Sequence, residues 1–443
     1  MNRKTSFLTV LALCAIATTL SSKAQSQTGD IREYVLDTIV GVAEPLRIGV
    51  NQMSYIGTRY ITPDDSSFMR YATLVVQRDV DFYADFQLVL VDSLYLSTYS
   101  VTDVDLVGWQ RMGAEYLVRL EAEFPGQNMR VFWRIYNTSN RRQVASGTVE
   151  ENRQSWRELA HDISNEVVRY LTGNTGIFRT KIVFVAKVNG SKEVFIADYN
   201  GSNTVQLTQT GSTNLSPFLS PDGRAVYFTS YMSGDPQLHK VDVVTHEITQ
   251  ITKFQGVVAA PSVSPDGRKI ALVLSKDKNS EIYVIDLNGN IIKRLTRHRA
   301  IESAPTWSPD GDSLAFSSDR TGAPQIYIMD ADGLSTRRLT YQGNYNDSPI
   351  WAAEGDRIIF VSRTRGGRFD LASIRTDGAD FRRLTEVGRN ENPHFAPDGK
   401  HIVFSSTRLS AGDIYSMDIS GRNQRRITRN GACSNPSWGP FPE

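Results

Sequence analysis

The sequence predicts a mixed fold in which a small N-terminal α/β domain precedes a six-bladed β-propeller. Two observations predict it. The second half of the 443-residue chain repeats every 44 residues, and each repeat reads as four short strands. The first half has no such repeat and alternates strand-like with helix-like patterns. A repeating unit of about 40–50 residues with four strands is typical of a propeller blade.

The composition is that of a folded protein with more than one domain. Hydrophobic residues make up 40% of the chain and charged residues 22%. A length of 443 residues exceeds what one ordinary core contains. The 49 basic and 48 acidic residues leave a formal net charge of +1. This balance argues against a nucleic-acid coat protein and against a polybasic membrane binder.

Residues 1–24 read as a secretory signal peptide that is cleaved near Ala24. Arg3 and Lys4 precede an apolar run that is too short to span a bilayer, and small residues follow at the cleavage position. An uncleaved anchor is the alternative. No later run has membrane-spanning length, and Cys433 is the one cysteine beyond the leader, so no internal disulfide is expected. These features predict a periplasmic protein that is not inserted in a membrane.

Residues 38–172 are predicted to form the α/β domain, and residues 173–180 the linker. Strand patterns cover Leu46–Val50, Gln87–Val91, Tyr116–Ala122 and Arg130–Tyr136. Apolar residues at helical spacing predict helices over 156–171 and 69–80. Ser155 and Glu158 suggest a capping box at the start of the later helix, and Gly173 suggests its end.

Three markers recur through residues 181–443, the predicted propeller. An apolar residue, usually phenylalanine, stands at positions 184, 228, 272, 316, 360 and 404. The tetrapeptide Ser-Pro-Asp-Gly begins at Ser220, Ser264 and Ser308, and a Leu/Ile-Thr pair ends at Thr208, Thr252, Thr296, Thr340, Thr385 and Thr428. Proline, aspartate and glycine in this order are typical of a tight turn. These aspartates are therefore interpreted as turn residues rather than metal ligands.

The repeat is out of phase with its own ends. It opens at Lys181 with a strand of the second type and finishes with a strand of the first type, Asn435–Trp438. Five units are complete, so the sixth blade is predicted to combine strands from both ends. This closure would pair the terminal strand and remove two exposed sheet edges.

No catalytic constellation stands out. The chain contains no Gly-x-Ser-x-Gly motif and no phosphate-binding loop with its Lys-Ser/Thr. The six histidines are not paired at metal-ligand spacing and are predicted to lie at the surface. Cys433 is predicted to be a buried or loop thiol near the ring closure. We expect no enzyme activity, no metal and no cofactor.

The loops at one rim of the propeller form a predicted docking surface. In a blade, the loops before the first strand and after the second share that rim, and loops on a rigid scaffold commonly carry binding. The candidate residues are Val258, Glu302, Ser303, Asn346, Asp347, Glu391 and Asn392 before first strands, and Arg320, Arg363 and Arg365 after second strands. From this assignment, Glu302→Lys with Asp347→Lys is expected to weaken partner binding.

The order of parts resembles the TolB family. A signal peptide, a small α/β domain and six blades with Ser-Pro-Asp-Gly turns follow one another, and the junction 176–182 is similar to the family's junction. The resemblance implies a non-enzymatic periplasmic adaptor of the Tol–Pal envelope system, needed for outer-membrane integrity and for constriction at cell division. It implies binding of the lipoprotein Pal at the propeller mouth, through the rim residues above.

The resemblance also implies binding of TolA through residues 25–37 at the mature N-terminus. The residues concerned are Asp30, Ile31, Arg32, Glu33, Tyr34, Val35, Leu36 and Asp37, whose alternating apolar side chains suit β-strand addition to a partner. Other outer-membrane lipoproteins or porins are further implied partners. A monomer that binds no nucleic acid is expected.

Two other functions remain open from the sequence. A propeller that binds carbohydrate or peptidoglycan would present exposed aromatic rings at the mouth, for which Tyr231, Tyr341 and Tyr345 are candidates. A propeller lyase or hydrolase would need a cluster of His, Asp or Arg in the channel, and a bound metal would favour it.

Overall fold

The computed structural model describes residues 44–58, 60–90, 105–429 and 431–442. The predicted signal peptide, 1–24, and the predicted partner segment, 25–37, lie outside these described residues.

The first domain is a mixed sheet with helices packed on it. Its strands are β1 (Leu46–Val50), β2 (Ser54–Tyr55), β3 (Phe86–Val89), β4 (Tyr116–Glu123), β5 (Asn128–Asn137) and β6 (Arg142–Asn152). The order is β3-β1-β4-β5-β6, with β2 paired to β4. The helices are α1 (Pro63–Phe82), α2 (Leu106–Arg111) and α3 (Trp156–Thr172), and α1 packs against α3. The α/β prediction for this part is confirmed.

The caps of the two long helices differ from the prediction. The capping box expected at Ser155 is wrong, because Ser155 makes no side-chain cap hydrogen bond and a 3₁₀ turn, Arg153–Ser155, leads into α3. The capping box lies instead at α1, where Thr62 and Asp65 each accept a hydrogen bond, of 3.1 Å, from the other's backbone N–H. Gly173 ends α3 with φ of 75°, as predicted.

The second domain is a six-bladed propeller of four-stranded antiparallel sheets, as predicted. Blade 1 has β10 (Asn214–Leu219), β11 (Ala225–Ser230), β12 (Gln237–Asp242) and β13 (Ile248–Gln250). Blade 2 has β14 (Val258–Val263), β15 (Lys269–Leu274), β16 (Glu281–Asp286) and β17 (Ile291–Arg294), and blade 3 has β18 (Glu302–Trp307), β19 (Ser313–Ser318), β20 (Gln325–Asp330) and β21 (Arg337–Arg338).

The remaining three blades follow the same plan. Blade 4 has β22 (Asn346–Trp351), β23 (Arg357–Arg363), β24 (Phe369–Arg375) and β25 (Arg382–Arg383). Blade 5 has β26 (Asn390–Phe395), β27 (His401–Ser406), β28 (Asp413–Asp418) and β29 (Arg425–Arg426). Blade 6 combines the chain's last strand, β30 (Cys433–Trp438), with β7 (Lys181–Val188), β8 (Ser191–Asp198) and β9 (Val205–Gln206).

The Ser-Pro-Asp-Gly turns act through local hydrogen bonds, as their composition predicts. In blade 3, the Ser308 hydroxyl donates to Asp310 over 2.5 Å, and Asp310 also accepts from the backbone N–H of Asp312 over 3.0 Å. Gly311 has φ of 76°, where a side chain would be strained. The aspartate is thus occupied by its own turn.

The first domain sits on the end of the propeller that carries the first-to-second and third-to-fourth turns. Lys400 pairs with Asp85 at 2.6 Å, Arg425 pairs with Asp81 at 2.8 Å, and the Asn423 amide donates to the Phe82 carbonyl over 2.9 Å. Tyr199 of blade 6 donates to Asp79 of α1. One hydrophobic core runs from the α/β sheet into blades 5 and 6. At this end, the first domain therefore covers blades 5 and 6.

The expectation that the histidines are surface residues is wrong for half of them. His161, His239 and His401 are at most 4% exposed. His161 lies 2.8 Å from Asp79, and the His401 ring packs between Phe82 and Tyr83 at the domain junction. In sequence, histidines at a junction between domains look the same as solvated ones, because the groups they contact across the junction, such as Asp79 for His161, are more than 80 residues away.

Candidate docking face

The opposite end of the propeller carries two sets of loops that meet at one rim. These are the loops after the second strands of blades 1–5, 231–236, 275–280, 319–324, 364–368 and 407–412, and those before first strands, 207–213, 251–257, 295–301, 339–345, 384–389, 427–429 and 431–432. We call this end the docking face. The two sets touch directly, because the backbone N–H of Val258 donates to Pro236 O over 3.0 Å and that of Asn346 to Pro324 O over 2.9 Å. The first domain contacts the other end.

Below this face, a threonine next to the fourth strand makes the same hydrogen bond in every blade. We call this arrangement the threonine clasp. The threonine of each Leu/Ile-Thr pair accepts a hydrogen bond from the backbone N–H of the residue 14 positions earlier, over 2.8–3.0 Å, in all six blades. In five blades its hydroxyl donates to an acid or amide at or near the start of the third strand, namely Glu193, Gln237, Gln325, Asp370 and Asp413. The repeated threonine of the sequence is thus a buried structural residue.

The first residue of each first strand is buried, and in blades 1, 4 and 5 its side chain joins this hydrogen-bond network. Asn214, Asn346 and Asn390 donate their amides to Glu193, Gln325 and Asp370 of the preceding blade over 2.9–3.2 Å. Val258, Glu302 and Asn346, predicted to lie in exposed rim loops, have no exposed surface. That part of the prediction is corrected, because these three residues hold neighbouring blades together and lie below the surface that a partner would contact.

Glu302 breaks the asparagine pattern. It stands where blades 1, 4 and 5 place an amide donor, and it faces Glu281, itself 1% exposed. One Glu281 oxygen finds no hydrogen-bond partner, while the other accepts from Arg294 over 3.1 Å and from the His298 backbone over 2.9 Å. Arg320 donates to both Glu302 oxygens at 3.0 Å. Burial raises the pKa of Glu302, opposed by Arg320 and reinforced by Glu281.

The other predicted rim residues lie nearer the surface. Ser303, Asp347 and Glu391 are second residues of first strands and are half-buried, as is Arg320. Asn392 precedes a proline and has φ of 52°, so its place is set by a bulge in β26. Arg363 and Arg365 are exposed at the tip of blade 4. Of the predicted set, these two arginines are thus the most accessible to a partner.

Exposed apolar side chains also mark the docking face, and most of them were not predicted from the sequence. Val387 is 62% exposed and Leu409 is 71% exposed. They lie on adjoining loops, since Gly388 approaches the backbone of Arg408. The others are Tyr231, Met232, Val257, Ile301 and Tyr341. Their position in the loops of the repeat was readable from the sequence, but their exposure was not.

The aromatic candidates for sugar binding are mostly engaged. Arg338 covers the Tyr341 ring at 4.8 Å. Tyr345 is half-buried, packs edge-on against Phe369 at 5.3 Å, and donates its hydroxyl to Asp347 over 3.1 Å. Burial and the neighbouring Asp347 raise the pKa of Tyr345 to about 12, so this hydroxyl stays protonated as a donor. Tyr231, 42% exposed, keeps an accessible ring.

Proline rings from all six first strands contribute to the lining of the central channel. A cavity of about 490 Å³ is bounded by Pro217, Pro261, Pro305, Pro349, Pro393 and Pro436. The residue before each proline has φ between 46° and 53°, which marks a bulge repeated in every first strand. Over the residues that the structure describes, no group of three or more His, Cys, Asp or Glu side chains could hold a metal ion. None of the helices in the described ranges is long and apolar enough to cross a membrane.

Comparisons with known proteins agree with this architecture. The family model described as the TolB beta propeller domain matches residues 168–442. A Tol-Pal system protein TolB from Geobacter sulfurreducens is 37% identical over 220 residues, 49% of this chain and 48% of that protein. One from a Ruegeria species is 32% identical over 226 residues, 49% of each chain. The chain spans about half the length of the curated relatives it matches.

A solved structure extends the likeness over both domains. The crystal structure of TolB from Acinetobacter baumannii superimposes with a TM-score of 0.79 and 25% identity, covering 90% of this chain and 97% of that one. The family model by itself covers more than half of the chain. The chain therefore belongs to the TolB family, defined by its six-bladed propeller domain.

Proposed function

We propose that this protein is a periplasmic adaptor of the Tol–Pal system, which binds Pal at the docking face and TolA through residues 25–37. Membership of the TolB family supports the system. The observation that carries the proposal is the contrast between the two ends of the propeller. At one end the first domain packs on blades 5 and 6, while the other end presents exposed apolar and charged loops on a rigid ring.

The docking face has the composition of a protein interface. Val387 and Leu409 form an apolar patch, and arginines and half-buried acids surround it. Glu302 is unsuitable for the charge-reversal test suggested by the sequence, since a buried lysine there would disturb folding. Exposed side chains give a cleaner test.

Val387→Asp with Leu409→Asp is expected to weaken binding of the organism's own Pal domain at least tenfold. Each side chain would otherwise become buried on docking, and burying a valine or leucine contributes about 1.5–3 kcal/mol. Biolayer interferometry with immobilised Pal measures the change. The matched control is Val244→Asp with Leu334→Asp, which alters a valine 88% exposed and a leucine 62% exposed on the opposite end.

The two pairs separate the possible results. Loss of Pal binding in the docking-face pair alone supports the assignment. Equal loss in both pairs, or loss in the control alone, contradicts the proposed face. Failure of the wild-type protein to bind Pal contradicts the proposed function itself.

Deleting residues 28–37 is expected to abolish capture of TolA and to leave the propeller folded. The reason is that strand addition needs the alternating segment itself, whereas the docking face is formed by residues after 206. A pull-down with the soluble TolA domain measures the effect, and the melting temperature of the variant serves as the folding control. Retained TolA capture would refute the assignment of this segment.

Export to the periplasm and cleavage near Ala24 belong to the same proposal.

Pal and TolA binding would be linked if occupancy of one site changes the affinity of the other, and such coupling must be reciprocal.

A further inference from the structure

The hairpin of blade 4 differs from those of blades 1, 2, 3 and 5 on the docking face. In blades 3 and 5, pairing of the second and third strands stops at Ser318–Gln325 and Ser406–Asp413. In blade 4, the equivalent pair Ser362–Asp370 is followed by a further pair, Arg363–Phe369. Blade 4 also contains one inserted residue. The spacing from the repeated phenylalanine to the buried acid or amide of the third strand is 9 residues in blades 3 and 5 and 10 residues in blade 4. We call residues 363–369 the blade 4 hairpin.

With this extension, the loop arginines of blade 4 point in a different direction from those of blades 3 and 5. In blade 3, Arg320 turns inward to Glu302 and lies over the Tyr327 ring at 4.7 Å. In blade 5, Arg408 turns inward to Asn390 and lies over Tyr415 at 4.5 Å. In blade 4 the position equivalent to both arginines is a threonine, at 364, and arginines stand on either side of it. The inward arginine is replaced by two outward ones.

Arg363 and Arg365 are exposed and form no ion pair within the described part of the chain. The acids near them are already engaged. Asp370 accepts from Arg368 at 2.8 Å and from Arg383 at 3.3 Å, and Glu391 pairs with Arg389 at 2.7 Å. The exposed Glu386 lies on the side of Arg368, whose pKa it helps to raise.

The guanidinium of Arg363 lies beside an aromatic ring. Phe369 lies between two arginines, with Arg389 at 4.6 Å and Arg363 at 5.9 Å from the ring centre. Tyr345 packs edge-on against the same ring. Contact with a ring limits the freedom of a guanidinium. Such a guanidinium loses less entropy when it forms a bidentate hydrogen bond to a carboxylate.

We propose that the blade 4 hairpin binds carboxylate side chains of the protein that docks on this face, with Arg363 and Arg365 as the donors. This inference rests on the proposed function and adds the chemistry of the partner's contact, an acidic segment beside an apolar one. The apolar part would meet Val387, on the loop that also carries Arg389. A nucleic acid fits less well, because the neighbouring arginines are paired with acids and leave no continuous basic track for phosphates.

Arg363→Glu with Arg365→Glu is expected to weaken Pal binding about tenfold or more, chiefly by slowing association. Charges at the edge of an interface act mostly on the association rate and on its salt dependence. Binding of the full chain to immobilised Pal is measured at low and high sodium chloride. The matched control, Arg224→Glu with Arg268→Glu, reverses two exposed arginines in turns at the opposite end. The variant Arg363→Lys with Arg365→Lys keeps the charge but lacks the planar guanidinium groups. Its affinity for Pal should lie between those of wild type and the double-glutamate variant.

Three results decide the inference. A wild-type affinity that falls with salt, and a docking-face variant that is weak and insensitive to salt, support it. A double-glutamate variant that binds Pal as tightly as wild type overturns the carboxylate contact while leaving the proposed function standing. A wild-type protein that does not bind Pal overturns both.

Discussion

Deleting residues 435–443 is expected to lower the melting temperature of the propeller by about 10 °C or more. The deletion removes the part of β30 in which Ser437 and Trp438 pair with Val183 and Ile182. It also removes the Trp438 indole, 3% exposed, which donates to Thr180 over 2.8 Å. Loss of a buried tryptophan alone costs about 3–5 kcal/mol. For a domain of this size each kcal/mol corresponds to about 2–4 °C.

The effect of this deletion extends beyond blade 6. Trp438 belongs to the core that joins the α/β domain to blades 5 and 6, and Pro436 completes the proline ring of the channel. Opening the ring would also leave β7 as an unpaired edge, which favours aggregation. Differential scanning calorimetry of the deletion variant tests the first effect, and light scattering tests the second.

Two further variants keep the result interpretable. Trp438→Ala should lose most of the stability without shortening the chain, which covers the case in which the deletion variant does not fold. Removing residues 442 and 443 alone should leave the melting temperature unchanged, because the paired strand ends at Trp438. A 435–443 deletion that melts like the parent protein would show that the ring does not depend on this closure.

The architecture was predictable because its signal is repeated. The period of 44 fixed the number of blades, and the phase of the strands at 181 and 435 predicted the closure that β30 and β7 make. In the first domain, the strand β6 (Arg142–Asn152) was missed. It is an edge strand whose residues are mostly exposed, so it carries little apolar alternation.

The docking face was harder to predict because its buried polar residues resemble surface residues in a sequence. Asn346 and Glu302 each follow a loop and come shortly before a proline of the first strand. Side chains at such positions are typically solvated. A usable signal existed in the spacing. An acid or amide stands 20 or 21 residues before Asn214, Asn346 and Asn390, and a threonine follows that acid or amide 15 residues later. A regular spacing of this kind indicates a hydrogen-bond network rather than a binding surface.

Because of the same network, two different substitutions of Glu302 are expected to have opposite effects on the stability of the propeller. Glu302→Lys is expected to destabilise the propeller by about 3–5 kcal/mol, because it places a third cation among Arg320 and Arg294 in a buried site. Glu302→Asn is expected to leave the protein as stable as wild type or to stabilise it by about 1 kcal/mol at pH 7.5. The asparagine would supply the missing donor to Glu281, as Asn214 does for Glu193 over 3.1 Å.

Blade 5 shows that the asparagine arrangement also accommodates the arginine. There Asn390 donates to Asp370 over 3.2 Å and accepts from Arg408 over 3.1 Å. Arg320 occupies in blade 3 the place of Arg408 in blade 5 and would donate in the same way to the carbonyl oxygen of the introduced asparagine. Chemical denaturation of the two variants and wild type at pH 7.5 measures the difference, which should amount to at least about 3 kcal/mol between lysine and asparagine.

The advantage of Glu302→Asn should depend on pH in a defined direction. The groups facing Glu302 are Arg320 and Ser318 from its own blade, Glu281 from blade 2, and His298 at 4.0 Å from the preceding loop. A raised pKa in the folded state means that the folded protein binds this proton more tightly than the unfolded chain does. The stability that the proton provides is present at low pH and is lost as pH rises through the raised pKa. The asparagine variant should therefore gain on wild type as pH rises above about 4.5, and melting curves at a series of pH values measure the gain. A gain that stays constant with pH would mean that Glu302 is fully ionised throughout and that Arg320 alone satisfies it.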